Sequence, residues 1–243
     1  MTKTFEKAAE TYRFNAKVQQ KTAENIMSMC SNVNPKVILD IGCGSGILTE
    51  KISKKYPSST VTAIDSSANM LKQFDLETVA KVHANFEEWT PAQSFDLIVS
   101  NAALHWMNIH NAIDKISSHL APSGRCIASI YTKSSCQELK KSLKAIGRNN
   151  QLPVDIFPSI NECTKIIKDG FKNASYSVNK LTVEFKTIKE LLINQKKTGV
   201  NQKSVNEGLW TPNTLSQLEK AFIDEYGSIR LTYDVITFKG LGI

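Results

Sequence analysis

The chain has 243 residues, 41% of them hydrophobic, and a net charge of +7. This is long and apolar enough for one large α/β domain, and too apolar for a disordered chain. Its five cysteines (Cys30, Cys43, Cys126, Cys136 and Cys163) are scattered and never spaced C-x-x-C, which leaves neither a disulfide framework nor a zinc site. No metal site is expected. No stretch approaches the roughly 20 apolar residues of a membrane span, and the first residues lack a signal-peptide core. A reducing cytoplasm, or an organelle matrix if a transit peptide was removed, and no membrane contact are the expectation. The lysines form no block and interleave with no aromatic ladder, so nucleic acid is not expected as a partner. An acidic protein partner stays open.

In chain order, Phe5, Ala8, Ala9 and Tyr12 give an i, i+3, i+4, i+7 stripe, so residues 1–15 are expected as a short amphipathic helix. A second helix runs from about Ala16 to Cys30. Val37 to Ile41 reads as a buried strand. It breaks into Gly42, Gly44 and Gly46, and a helix with Ile47, Leu48 and Ile52 inward follows until Pro57. Ser59 to Ile64 is the next buried strand, closed by Asp65. The glycines admit positive φ and close ligand approach, and the helix start favours an anionic group. Asp65 stands near the spacing at which a strand-end carboxylate takes ribose hydroxyls. Ile47 occupies the place of the dinucleotide pattern's third glycine, and Asp40 would repel a pyrophosphate. A ligand with a carboxylate, a cationic group and a ribose fits better, and S-adenosylmethionine has all three.

Ser66-Ser67-Ala68-Asn69-Met70-Leu71 is an N-capped short helix, in which Met70 serves either the core or one adenine face. Val79 to Ala84 is a third strand, followed by Asn85 and Phe86. Ser94 to Asn101 is a fourth, and Ala-Ala-Leu-His105-Trp106-Met comes after it. A helix over Asn108 to Leu120, a turn at 121–124 and a strand from Arg125 to Tyr131 follow. From Ser134 to about Asn179 the alternation stops. A basic helix, Ser135 to Arg148, carries Lys140, Lys141, Lys144 and Arg148, read either as a solvated face or as a docking surface. After it come a proline-punctuated loop and a short helix over Asn161 to Asp169. Strand character resumes at Leu181 to Phe185. Capped helices open at Thr187 and at Thr211-Pro212, and Ile229 to Phe238 is the last strand.

The stretch D-I-G-C-G-S-G followed by Asp65 resembles the first two motifs of the class I S-adenosylmethionine-dependent methyltransferases. The resemblance implies a Rossmann-like, seven-stranded, mostly parallel sheet in the order 3-2-1-4-5-7-6. It implies a single domain over residues 1–243, with an N-terminal helical segment (1–30) over the cofactor and a helical lid at 134–179. It places Gln19, Asp40, Gly42, Gly44, Gly46, Asp65, Ser66, Met70, Asn85, Phe86 and Asn101 around the cofactor. Asn85 departs from the family's usual acidic residue, although its amide oxygen can still accept a bond. The pattern Phe5, Ala9, Tyr12, Ala16, Gln19 resembles the N-terminal segment of the malonyl-acyl-carrier-protein and trans-aconitate methyltransferases. The late stretch Glu190 to Asn201 resembles the former group. That resemblance implies O-methylation of a malonyl carboxylate on an acyl carrier protein in biotin synthesis, with the acidic carrier meeting the basic helix. A small-acid methyltransferase and a non-catalytic cofactor-binding assembly factor are the alternatives. Tyr12, His105 and Trp106 are the candidates at the reacting end. A lone loop histidine such as His105 is more often a hydrogen-bonded structural residue, and Trp106 is read as a pocket wall.

Overall fold

The computed structural model describes residues 2–31, 33–148, 152–199 and 210–242. The chain opens with helices α1 (Thr2–Asn15) and α2 (Lys17–Met29). They are separated at Ala16, whose ψ of 49° leaves the helical region. On α2 the buried residues Val18, Gln19, Thr22, Ala23 and Ile26 form one face. Strand β1 (Val37–Ile41), helix α3 (Ile47–Lys55) and strand β2 (Thr60–Asp65) make the expected β-α-β unit. Next come α4 (Ala68–Leu71), β3 (Val79–His83), β4 (Phe95–Asn101), a 3-10 turn at Leu104–Trp106, α5 (Ile109–Ser118) and β5 (Leu120–Tyr131). The rest comprises α6 (Gln137–Ala145), a 3-10 turn at Pro153–Ile156, α7 (Ile160–Gly170), β6 (Lys172–Phe185), α8 (Ile188–Lys197), α9 (Pro212–Tyr226) and β7 (Ile229–Leu241). Among the described residues no helix is long and apolar enough to cross a membrane.

The seven strands lie in the order β3-β2-β1-β4-β5-β7-β6. β7 runs antiparallel to both of its neighbours, while the other pairs are parallel. This is the expected topology. β1 sits between β2 and β4, so its residues are covered on both faces. Leu39 and Ile41 pack with Ile98 beneath α5 and α7, through Ile113, Ile116 and Ile167. Ile38 turns to the other face with Leu97, Val99, Ile26 and Ile52. Each such buried aliphatic side chain contributes about 1.5–3 kcal/mol. A third cluster joins α6, α8 and α9 to the outer strands through Leu143, Leu191, Phe222 and Leu231.

Two boundaries differ from the sequence reading. β6 begins at Lys172, well before Leu181, and the segment expected as a lid divides. Residues 172–179 belong to the sheet edge, and α7 covers the sheet, with Cys163, Ile166 and Ile167 in the core. Only α6 and the turn after it stay outside the alternation. β5 begins at Leu120, and the expected turn appears as an irregularity inside it, with Ser123 at φ 66°.

The turn after β1 has Gly44 and Gly46 in the left-handed region, at φ 54° and 79°. A Cβ on Gly46 would stand 2.5 Å from the Phe74 ring, whereas one on Gly44 would meet nothing within 4 Å. Gly46→Ala therefore combines a left-handed penalty of about 1–2 kcal/mol with a steric clash. Gly44→Ala carries the first term alone. Urea unfolding should rank Gly46→Ala clearly below Gly44→Ala in stability. Equal losses would contradict the close packing of Gly46 on Phe74.

Candidate active site

The site forms where β1 and β2 end side by side. The amides of Gly42 and Cys43 both donate to the Ile64 carbonyl, at 2.8 and 3.1 Å, and bind the turn to β2. The Gly44 amide donates to Asp65 Oδ2 at 2.8 Å, and the Ser67 amide donates to Oδ1 at 2.8 Å. The Asp65 carboxylate is thus held in a fixed plane against the turn. Burial raises its pKa, opposed by these two amide bonds. The Gly44 amide is engaged by the protein, so the anion site expected at the helix start has fewer free donors than the sequence implies.

Asp40 is fully buried. Its Oδ2 accepts the Thr49 hydroxyl at 2.7 Å, and its Oδ1 has no partner. Burial pushes its pKa up to about 7. The buried Ser45 hydroxyl is likewise unpartnered. Both residues line a recess that also touches Tyr12, Gly42, Gly44 and Asn101. Those four residues also line the adjoining cavity, of about 280 Å³. Unpartnered buried polar atoms are rare in folded proteins and call for a ligand or water. No lysine or arginine lines either space among the described residues. A ligand that brings its own cation suits the pair Asp40 and Asp65.

The N-terminal helices form one wall. Phe5 and Tyr12 face the cavity, and the Tyr12 hydroxyl is hydrogen-bonded to the Gln19 side chain. Burial and the neighbouring Asp65 raise the Tyr12 pKa, so the phenol stays protonated. Arg13 pairs with Glu50 through both guanidinium nitrogens and ties α1 to α3. Asn101 lines the cavity, but its side chain is engaged elsewhere. Its Nδ2 donates to the Gln19 carbonyl at 2.8 Å, and its Oδ1 accepts from Thr22 and Ser129 at 2.6 and 2.9 Å. This fastens α2 to β4 and β5.

Ser66, Met70, Asn85 and Phe86 line the opposite end with Ile64 and Ala84. Met70 is 2% exposed and Phe86 4%, so both are walls of the cavity and members of the packed interior at once. Asn85 Oδ1 accepts the Glu87 amide at 3.1 Å and keeps a second lone pair.

At the reacting end Trp106 lines the cavity, edge-on to Phe5 and Phe157. His105 does not. It is buried outside the cavity, stacked on Tyr131 with ring centroids 4.8 Å apart, and its Nδ1 accepts the Tyr131 amide at 3.2 Å. Burial pushes its pKa down to about 3, so it stays neutral. Gly46 also stands apart from both spaces and packs on Phe74. Ser45, Glu87, Ala103 and Met107 line the site without being among the residues that the sequence motifs place there, whereas Phe5 belongs to the N-terminal pattern. Ser45 lies inside the glycine motif, so its spacing is visible; Glu87 carries no such signal. α6 ends at Ala145, before the Arg148 of the expected helix; Lys140 on it is paired with Asp155, and the Arg148 guanidinium beyond it lies 4.7 Å from the Trp210 ring centroid. Lys141 and Lys144 are exposed.

The Asp40 pKa sets a pH dependence. In the folded chain Asp40 holds its proton up to about pH 7, whereas unfolded it releases it near pH 4. The folded state thus binds more protons in that window, and stability without ligand falls as pH rises through it. Asp40→Asn keeps an oxygen for Thr49 and cannot ionise. Thermal unfolding at pH 8 should find this variant more stable than the parent, by up to about 4 kcal/mol. The gap should close near pH 4. No gap at pH 8 would show that Asp40 is solvated.

Comparison with known proteins agrees with this geometry. The family described as "Methyltransferase domain" matches residues 38–124, from β1 into β5. Malonyl-[acyl-carrier protein] O-methyltransferase 2 of Ilyobacter polytropus is 29% identical over 93% of this chain and 90% of its own length. The malonyl-[acyl-carrier protein] O-methyltransferase of Priestia megaterium is 29% identical over 97% and 94%. Among solved structures, the YcgJ protein of Bacillus subtilis superposes with a TM-score of 0.62 at 16% identity, over 90% of this chain and 97% of that one. Phosphoethanolamine N-methyltransferase 2 of Haemonchus contortus, solved with S-adenosyl-L-methionine, gives 0.54 at 15% identity, over 91% and 52%. With its strand order and its glycine turn, the chain has the Rossmann-like fold of these structures, and its residues 38–124, from β1 into β5, are similar to the methyltransferase domain.

Proposed function

We propose that the chain methylates the free carboxylate of a malonyl group carried on an acyl carrier protein, an early step of biotin (pimeloyl) synthesis. The observation that carries this reading is the similarity to curated malonyl-[acyl-carrier protein] O-methyltransferases along nearly the whole chain. A cytoplasmic setting accords with five cysteines that are all free and buried.

When bound, S-adenosylmethionine would supply an electrophilic methyl group, the O–CH3 bond to the acceptor forming as the S–CH3 bond breaks and the neutral thioether leaves. Asp65 and Ser66 would hold the ribose, and Asp40 the cationic amino-acid end, where its unpartnered Oδ1 and the Ser45 hydroxyl await donors. Met70, Phe86 and Asn85 would enclose the adenine. Tyr12, kept protonated and braced by Gln19, would donate to the acceptor or to the ligand's carboxylate. Phe5, Trp106 and Met107 exclude water from the reacting end. A carboxylate acceptor arrives ionised at neutral pH. No side chain has to take a proton, and this fits a site whose nearby histidine is neutral and turned away.

Two outcomes test the reading. Purified protein should transfer a methyl group to malonyl-loaded carrier protein and leave free aconitate unmodified. Preferential methylation of aconitate would make this a small-acid enzyme, and binding of S-adenosylmethionine with neither transfer would make it a non-catalytic binder. The second outcome concerns His105. His105→Gln should keep turnover within several-fold, and the wild-type rate should lack a histidine limb between about pH 6 and 8. A large loss of turnover in that variant with cofactor affinity intact would assign His105 to the chemistry and favour a hydroxyl acceptor.

A further inference from the structure

The outer side of the wall that closes the cavity carries an unusual surface. Phe14, near the end of α1, is 83% exposed, and Ile193, on α8, is 40% exposed. The two helices are joined directly between these residues. The Asn194 side chain donates to the Asn15 carbonyl, and the Thr11 hydroxyl to the Lys197 carbonyl, both at 3.2 Å. On α8, Lys189, Ile193, Lys196 and Lys197 recur at i, i+4, i+7 and i+8, which places them along one side of the helix. All four are exposed. None of these lysines forms an ion pair among the described residues, and Glu190 beside them is turned to the Lys186 amide at 2.8 Å. The surface therefore combines two large apolar side chains with three unneutralised cations. It is continuous with the active site, because the turn that ends α8 rests on the cavity wall. A Cβ on Gly199 would stand 2.6 Å from the ring of Phe5.

We propose that this α1–α8 surface docks the acidic carrier protein. The assignment rests on the reading of the acceptor as carrier-linked. An acidic helix with a small apolar stripe matches it in both respects. Its carboxylates would face Lys189, Lys196 and Lys197, while its apolar residues would cover Phe14 and Ile193. Buried apolar anchors of this kind supply most of an interface's affinity, and the rim charges orient and speed the encounter. The basic helix α6 is the weaker candidate. Lys140 is neutralised by Asp155, and Arg148 is engaged by Trp210. Lys141 and Lys144 remain as contributors to long-range attraction.

Three variants separate these roles: Phe14→Ser with Ile193→Ser, Lys189→Glu with Lys196→Glu and Lys197→Glu, and Lys141→Glu with Lys144→Glu. Each is assayed with malonyl-carrier protein and with malonyl-pantetheine at about 0.15 M salt, alongside S-adenosylmethionine affinity by calorimetry. The first two should raise KM for the carrier-linked substrate at least tenfold. Their kcat, their KM for malonyl-pantetheine and their cofactor affinity should stay within twofold of wild type. The α6 variant should change the carrier KM by no more than about threefold. If both α1–α8 variants keep the wild-type carrier KM, or the α6 variant shows the whole effect, the docking surface is overturned and the proposed function stands. If wild-type protein shows no preference for malonyl-carrier protein over malonyl-pantetheine, no carrier surface exists. If wild type methylates neither, the functional reading falls and this proposal with it.

Discussion

Two carboxylates stand at the ends of adjacent strands, and no cationic side chain lines the space between them among the described residues. Much of the site's architecture follows from that arrangement. Asp65 is made tolerable by two backbone amides, one from the glycine turn and one from the start of α4. Asp40 has only the Thr49 hydroxyl, and at neutral pH it stands near the midpoint of its titration. A buried anion without a partner is costly. In the proposed reading a cationic ligand placed there would offset this cost, and part of the affinity for it would originate in the packing of β1.

The wall above this pair is built separately. Asn101 fastens α2 to the sheet with two side-chain hydrogen bonds, to the Gln19 carbonyl and from Thr22, and a third, from Ser129, ties β4 to β5. Arg13 fastens α1 to α3, and Thr11 and Asn194 fasten α1 to α8. Asn101 lines the cavity, and Thr11, Arg13, Glu50 and Asn194 lie outside it. Phe5, Tyr12 and Trp106 can then form an apolar chamber in which an ionised acceptor is stripped of water. His105 belongs to this support. Neutral, stacked on Tyr131 and edge-on to Phe157, it sets the turn that presents Trp106.

Much of this is legible in the sequence, for physical reasons. β1 and β2 are short β-branched runs bounded by glycine and proline, and the spacing of Asp40, Gly42, Gly44 and Asp65 shows that they meet at the ends of adjacent strands. The start of β6 is illegible because its first half is an exposed edge, polar on both faces, with no period-two signal. α7 reads as part of a lid because its stripe of Cys163, Ile166 and Ile167 shows amphipathicity without showing which layer it covers. The burial of His105 follows from the convergence of Tyr131 and Phe157, distant in sequence, on its ring. Gly46 reads as a ligand residue from its motif, and its partner Phe74 is again a tertiary fact. The last residues of the stretch Glu190 to Asn201, 200 and 201, lie outside the described residues.

At pH 7 Asp40 is about half protonated in the free protein, and in the proposed reading it becomes fully a carboxylate when the ligand's cation arrives. Calorimetric titration with S-adenosylmethionine at pH 7, repeated in buffers of different ionisation enthalpy, reads that proton directly. Wild-type protein should bind one equivalent, with an apparent enthalpy that depends on the buffer. The proton count should differ from that of Asp40→Asn by a substantial fraction of one proton released, and the variant should bind more weakly. Identical proton counts for the two proteins, or undiminished affinity in the variant, would contradict the account.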